Sequence, residues 1–247
     1  MVWANMTWLH RYAKHPEKTP FKVRYMRLQK ICKCVLKQLN VDLYVSGLEN
    51  IPNETVCFFP NHHSAFDALA IITSLNKDTS FVCKKEIAKY FILGNAAKSI
   101  DVEFMDRDDL RQSLKLMSRV KDDLASGNKS WIIFPEGTRS KDVIAPLLPF
   151  HHGSFKPATS AKVPLVPIAI YGSFRILKTK PEFKRYPMQI SFLKPIMPEE
   201  YEGMTTAQVA EMVQKRVQAE ITYKLRIKDH EIMSGQKNKK YKANLIY

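Results

Sequence analysis

Residues 61–67 read Asn61-His62-His63-Ser64-Ala65-Phe66-Asp67, directly after the apolar run Val56-Cys57-Phe58-Phe59 and at the start of a helical pattern. An imidazole with a carboxylate five residues on, across a bend from strand to helix, makes a general base and its orienting partner. Asp67 would accept the Nδ1 proton of His62 and fix its tautomer. It would also stabilise the imidazolium formed when Nε2 takes a substrate proton, a service worth about 10²–10⁴ in rate. The same residues also read as a helix start. Ser64 with Asp67 three positions on resembles a capping box, and an acid in the first turn suits the helix dipole. The two readings are compatible, because a cap would hold Asp67 rigidly.

A second cluster is Phe134-Pro135-Glu136-Gly137-Thr138-Arg139-Ser140, after the apolar run Trp131-Ile132-Ile133-Phe134. Gly137 lets backbone approach a ligand, Thr138 and Ser140 offer hydroxyls, and Arg139 carries a planar fork matched to phosphate oxygens. The competing reading is a solvated turn with incidental polar residues. A covalent nucleophile has no support, since there is no Gly-x-Ser-x-Gly elbow and no cysteine within either cluster. No metal is expected, because His62 and His63 are adjacent and lack partners at ligand spacing.

Positioning both clusters requires strands that end beside each other. Short apolar runs alternate with amphipathic segments from residue 43 onward. Strands are expected over 56–59, 80–83, 102–105, 131–134, 163–171 and 189–193, and helices over 65–75 and 109–125. A last helix, capped by Thr205 or Thr206, reaches about Leu225. This alternation predicts an α/β fold with a central mixed, largely parallel sheet flanked by helices, which places reactive loops at strand ends. An α/β domain over 43–228 is expected, with a two-helix segment over 1–42 before it and a loose basic tail over 229–247 after it.

The chain has 247 residues, enough for one such domain with a large core, and 39 Lys plus Arg against 24 Asp plus Glu give a net charge of +15. That field attracts anionic partners: a membrane leaflet, nucleic acid, or acidic substrates. Helices are expected over 3–13 and 21–39. In the second, Met26, Leu28, Ile31, Cys32, Val35, Leu36 and Leu39 recur at helical spacing, while Lys22, Arg24, Arg27, Lys30, Lys33 and Lys37 fill other positions. Such a partition suits a helix lying at a lipid interface, with Trp3 and Trp8 of the first helix in the interfacial layer. The alternative is a helical hairpin that caps the core, its lysines merely solvated. No stretch of about 18 apolar residues is present to span a bilayer, and no signal peptide is recognised, so contact with a membrane would be peripheral. The four cysteines form no disulfide framework, which fits a reducing, cytoplasmic compartment. No nucleic-acid motif with interleaved aromatics is seen, and no feature sets an oligomeric state.

Taken together, the H-x4-D element and the downstream F-P-E-G-T-R-S run resemble the signature of the glycerolipid acyltransferase family. Three further blocks follow the family's order: Cys83-Lys84-Lys85-Glu86, Phe104-Met105-Asp106-Arg107 and Val163-Pro164-Leu165-Val166-Pro167-Ile168. Within the family, the length and the N-terminal helices most resemble bacterial 1-acylglycerol-3-phosphate acyltransferases. The resemblance implies transfer of a fatty acyl group from an acyl thioester to the sn-2 hydroxyl of a lysophosphatidic acid, giving phosphatidic acid, at the cytoplasmic face of a membrane. It implies His62 as general base and Asp67 as its partner. Lys84, Arg107 and Arg139 would neutralise the acceptor phosphate, and Glu136, Gly137 and Thr138 would shape the acceptor pocket, with Glu136 on a glycerol oxygen. Pro164 and Pro167 would position a strand lining the site or the acyl tunnel. No cofactor is implied beyond the co-substrate, acyl-CoA or an acyl-carrier protein. Glu103 departs from the family's pattern, and a Glu103–Arg107 ion pair competes with phosphate binding by Arg107. Acyl transfer to glycerol-3-phosphate or another lysophospholipid, and a non-catalytic basic protein binding membrane or nucleic acid, are the rival functions.

Overall fold

The computed structural model describes residues 2–140, 142, 146–176 and 185–237. In chain order these form α1 (Val2–Lys14), α2 (Phe21–Gln38), β1 (Val41–Ser46), β2 (Cys57–Pro60), α3 (Phe66–Ser74), β3 (Thr79–Lys84), α4 (Phe91–Lys98) and β4 (Glu103–Met105). Then come α5 (Leu110–Ala125), β5 (Ser130–Ile132), α6 (Lys156–Ala161), β6 (Leu165–Tyr171), β7 (Tyr186–Phe192), α7 (Pro198–Tyr201) and α8 (Thr206–Glu220). A π turn over Ile221–Leu225 joins α8 to α9 (Arg226–Lys237).

The strands form one seven-stranded sheet in the order β1-β7-β6-β2-β5-β3-β4. Neighbours run parallel except β6 and β7. The expected mixed, largely parallel α/β sheet is therefore present. Because β2, β3, β4, β5 and β6 point the same way, their C-terminal ends share one edge, and the chain leaving β2, β3, β4 and β5 carries each of the four loop motifs there. Successive side chains of a strand point to opposite faces. Accordingly Phe58 joins α2 and α3 on one face, with Leu28, Cys32, Leu36, Ala70 and Ile71. Cys57 and Phe59 join the other, among Leu116 and Val120 of α5, Ala158 of α6, and Val209, Val213 and Val217 of α8. Thr205 caps α8, its hydroxyl accepting the Gln208 N–H at 3.3 Å. Elements β1, α4, α6 and α7 lie outside those expected from the sequence pattern. Pro164 and Pro167 are buried in the sheet, where their carbonyls accept the Cys57 and Leu193 N–H groups at 3.1 and 3.0 Å.

Three expectations for the chain's two ends are corrected. Most of the apolar stripe of α2 faces inward: Leu28, Cys32 and Leu36 are buried in the core and Ile31 and Leu39 pack partly against it, while Met26 is exposed, so the N-terminal hairpin caps and shares that core. Its Gln29 Nε2 donates to the Leu75 and Ile72 carbonyls at 2.7 and 3.0 Å, tying α2 to the end of α3. Arg24 is no membrane contact, being buried with its guanidinium on both Asp101 carboxylate oxygens at 2.8 and 3.0 Å and on the Ser99 carbonyl at 2.6 Å. A forked guanidinium satisfied this way has no reason to leave for a headgroup. Lys22, Arg27, Lys30 and Lys37 are exposed, Lys33 is half-buried, and Arg27 covers the Trp8 ring at 4.5 Å. The side chain of Trp3 lies outside those described. At the other end, residues 229–237 continue α9 instead of forming a loose tail. Asp229 is buried and takes the Arg175 guanidinium at 2.8 and 2.5 Å. The rest of the expected tail, 238–247, lies outside the described residues.

Because α2 is a core helix, trimming its buried stripe must destabilise the protein. Leu36→Ala is expected to lower the free energy of unfolding by about 2–5 kcal/mol in urea titration, as for other buried Leu-to-Ala changes; a helix lying on lipid would give no change.

Candidate active site

The chain leaves β2 at Pro60 and turns through residues 61–65 into α3. Asn61 fixes the start of that turn from a fully buried position. Its side-chain oxygen accepts the Ile170 N–H at 2.7 Å and its Nδ2 donates to the Ile170 carbonyl at 3.0 Å, stitching the turn to β6. The same Nδ2 lies 3.3 Å from His63 Nδ1, which must therefore act as acceptor. Burial lowers the pKa of His63 below the ordinary imidazole value, consistent with a neutral ring in that role.

His62 Nδ1 lies 2.8 Å from Asp67 Oδ2. A carboxylate can only accept, so the ring carries its proton on Nδ1 and leaves the Nε2 lone pair free. Asp67 is fully buried, and its Oδ2 also accepts the backbone N–H groups of His63 and Ser64, each at 2.8 Å. The carboxylate thus holds the turn and the ring together. No reciprocal capping box forms: Ser64 Oγ accepts from Phe66 N at 3.3 Å, and the α3 N-cap, Ala65, has no side-chain cap. The Phe134 ring lies 4.3 Å from the His62 ring, giving the base an apolar wall.

The loop over 134–140 grips the main chain of His62 from two sides. Glu136 Oε1 accepts the His62 N–H at 2.6 Å, and the Ser140 N–H donates to the His62 carbonyl at 2.9 Å. Glu136 Oε2 accepts the Leu148 N–H at 3.2 Å, and the side chain is only 2% exposed. Both oxygens are committed to backbone, so the expected contact of Glu136 with a glycerol oxygen is corrected: it is a brace beneath the histidine. Burial pushes its carboxyl up to about 7, against the two backbone N–H groups that favour the charged form.

Gly137 turns the loop with a φ of +66°, a conformation that side chains disfavour. A Cβ there would lie 3.0 Å from the Arg107 guanidinium and 3.2 Å from the His151 ring. Arg107 donates to the Gly137 carbonyl, which brings the end of β4 to the loop after β5. The competing Glu103–Arg107 pair does not form; Glu103 binds Arg119 at 2.8 Å. Thr138 and Arg139 are exposed beside this turn, with Lys84 exposed at the end of β3. Neighbouring Lys85 binds Asp106 at 2.6 Å, a pairing that lowers the aspartate's pKa and raises the lysine's. Asn61 and His151 are the site residues that sequence reasoning missed. Asn61, a polar residue closing an apolar strand, carried a signal; His151 carried none, because its approach to Gly137 depends on a long return of the chain.

Glu136 makes stability depend on pH in a definite sense. A carboxyl with a folded pKa near 7 and an unfolded value near 4.5 holds its proton more tightly when folded. That contribution is fully present below 4.5 and is lost as pH rises to about 7. Glu136→Gln removes it, so the stability gap to wild type changes between those pH values in urea titration. The variant also leaves one buried N–H without an acceptor, at about 1–3 kcal/mol.

The sequence model of the Acyltransferase family matches residues 42–171. The chain is 27% identical to a probable 1-acyl-sn-glycerol-3-phosphate acyltransferase of Mycoplasma pneumoniae, with 83% of this chain and 81% of that protein covered. It is 26% identical to the 1-acyl-sn-glycerol-3-phosphate acyltransferase of Saccharomyces cerevisiae over 72% of this chain, spanning 58% of the yeast protein. The crystal structure of the 1-acyl-sn-glycerophosphate acyltransferase of Thermotoga maritima superposes with a TM-score of 0.65 at 25% identity, over 78% of this chain and 76% of that one. Over half its length, and through the histidine, aspartate and arginine loops, this chain belongs to the Acyltransferase family.

Proposed function

We propose that the protein transfers a fatty acyl group from an acyl thioester to the sn-2 hydroxyl of a 1-acylglycerol-3-phosphate, giving phosphatidic acid at the cytoplasmic face of a membrane. The observation that carries this reading is the Nδ1–Asp67 bond, which leaves His62 Nε2 as a base, on a turn clamped by the loop bearing Arg139. The named activities of the relatives supply the acceptor.

In this mechanism His62 Nε2 removes the proton from the acceptor hydroxyl as its oxygen attacks the thioester carbonyl. Asp67 stabilises the resulting imidazolium. The tetrahedral intermediate collapses, the carbon–sulfur bond breaks, and the leaving thiolate takes the proton back from His62. Transfer is direct. None of the four thiols lies in the loops that carry His62 and Arg139; burial pushes Cys83, in the strand before Lys84, and Cys32 up to about 12 and Cys57 further, away from the reactive thiolate. Arg139, Arg107 and Lys84 gather the acceptor phosphate at the sheet edge, Arg139 with its fork exposed and Arg107 anchored on Gly137. Thr138 offers its hydroxyl beside them. The donor is acyl-CoA or an acyl-carrier protein, both anionic and both suited to a chain of net charge +15.

With purified protein and labelled acyl thioester, His62→Ala should lower kcat about 10²–10⁴-fold while the folded protein keeps its melting temperature. Full activity in that variant defeats the proposal. Arg139→Ala should raise KM for lysophosphatidic acid, the loss of one charged hydrogen bond of about 1.5–3 kcal/mol corresponding to about 10–100-fold. Unphosphorylated acceptors should be affected far less; an equal effect on both removes Arg139 from phosphate binding.

A further inference from the structure

The most conspicuous exposed apolar surface lies at the start of α4. Tyr90, Phe91, Ile92 and Leu93 are 60%, 64%, 53% and 45% exposed, four large apolar side chains in succession. Phe91, Ile92 and Leu93 open the helix, where consecutive residues are about 100° apart, so with Tyr90 just before them they cover most of its circumference. A surface helix of a soluble domain keeps one face polar. This tip is apolar nearly all round. It is also built to stay in place: Gly94 is buried, its N–H donates to the Tyr90 carbonyl at 2.6 Å, and a Cβ there would lie 2.6 Å from the Ala88 carbonyl. The missing side chain lets α4 seat tightly on the short 3-10 turn Lys85–Lys89 that leads into it. Helix α1 supports the tip from the side, with His10 stacked on Phe91 at 6.0 Å and Trp8 42% exposed nearby along the same helix.

Charge decides the occupant. The approaches to the tip carry exposed Lys84 and Lys89 against the acid Glu86, Lys85 being paired with Asp106 and Asp108, and α1 adds exposed Arg11 and Lys14 with no acid of its own. An apolar wedge with an aromatic phenol and a cationic collar is what an anionic phospholipid leaflet accepts, the wedge entering the acyl region and the collar meeting phosphates. Place adds to the argument. The turn before α4 follows directly on the C-terminal end of β3, the edge that also carries His62, Arg107 and Arg139.

We propose that the Tyr90–Leu93 tip inserts into an anionic lipid leaflet and seats the catalytic edge of the sheet against it, so that lipid acceptor enters sideways from the bilayer. The part about acceptor entry rests on the proposed acyl transfer; the docking itself does not. It replaces the apolar stripe of α2, most of which the core consumes, as the membrane-inserting element.

The test is co-sedimentation of the full chain with vesicles of phosphatidylcholine alone or mixed with phosphatidylglycerol. Wild type should pellet with the mixed vesicles and far less with neutral ones. The double variant Phe91→Ser/Ile92→Ser should lose about tenfold or more in partitioning. Leu48→Ser, an exposed apolar site following β1 at the opposite sheet edge, should bind as wild type does. Because Phe91 stacks on His10, Ile92→Ser/Leu93→Ser serves as a second variant, and thermal melting checks that each is folded. Equal pelleting of wild type and both double variants overturns the inference, as does wild type that ignores anionic vesicles. Acylation of detergent-dispersed lysophosphatidic acid by wild type reads the proposed activity separately, so either idea fails without the other.

Discussion

The main chain of His62 is held at both polar ends by a loop from another part of the sequence, and the candidate chemistry depends on that grip. Its N–H goes to Glu136 and its carbonyl receives the Ser140 N–H. A general base must stay within hydrogen-bond distance of the proton it removes, and a free loop would not keep it there. Fixing the backbone through 136–140, the ring through Asp67 and the preceding residue through Asn61 leaves the imidazole little freedom. The Acyltransferase motifs are thus one connected structure, with Arg139 placed relative to His62 because the residue after it is bonded to the histidine.

This arrangement carries a cost that the sheet absorbs. Glu136 and Asp67 are both buried carboxylates, each hydrogen-bonded to backbone N–H groups. Burying such groups is expensive unless their acceptors are used. Parallel strands ending at one edge present turns whose N–H groups meet both Glu136 oxygens and Asp67 Oδ2, while Asp67 Oδ1 stays buried with no hydrogen-bond partner among the described residues. The fold supplies the donors, and the carboxylates in turn lock its loops.

The N-terminal helices illustrate how one pattern serves two physical ends. An apolar stripe with cations between its members suits a core helix as well as a helix on lipid. The sheet's face needs cover, and α2 gives it Leu28, Cys32 and Leu36. Arg24, one of six cations in the stripe, is drawn inward because Asp101 lies opposite it in space. Surplus apolar surface reappears at α4, outside the elements that periodicity marked.

What the sequence determined by itself was local. The alternation of apolar runs and amphipathic segments set the α/β class and most strand positions, since period and composition reflect each residue's own neighbours. His62 and Asp67 were legible as a pair because five residues across one bend suffice to bring them together. Contacts between distant parts of the chain were not legible: that Glu136 would brace the histidine instead of touching substrate, that Glu103 would choose Arg119 over Arg107, or that His151 would return beside Gly137. Those depend on which strands become neighbours and how closely their loops approach. The order β2-β5-β3-β4 decides that, through long-range pairing that no local spacing encodes.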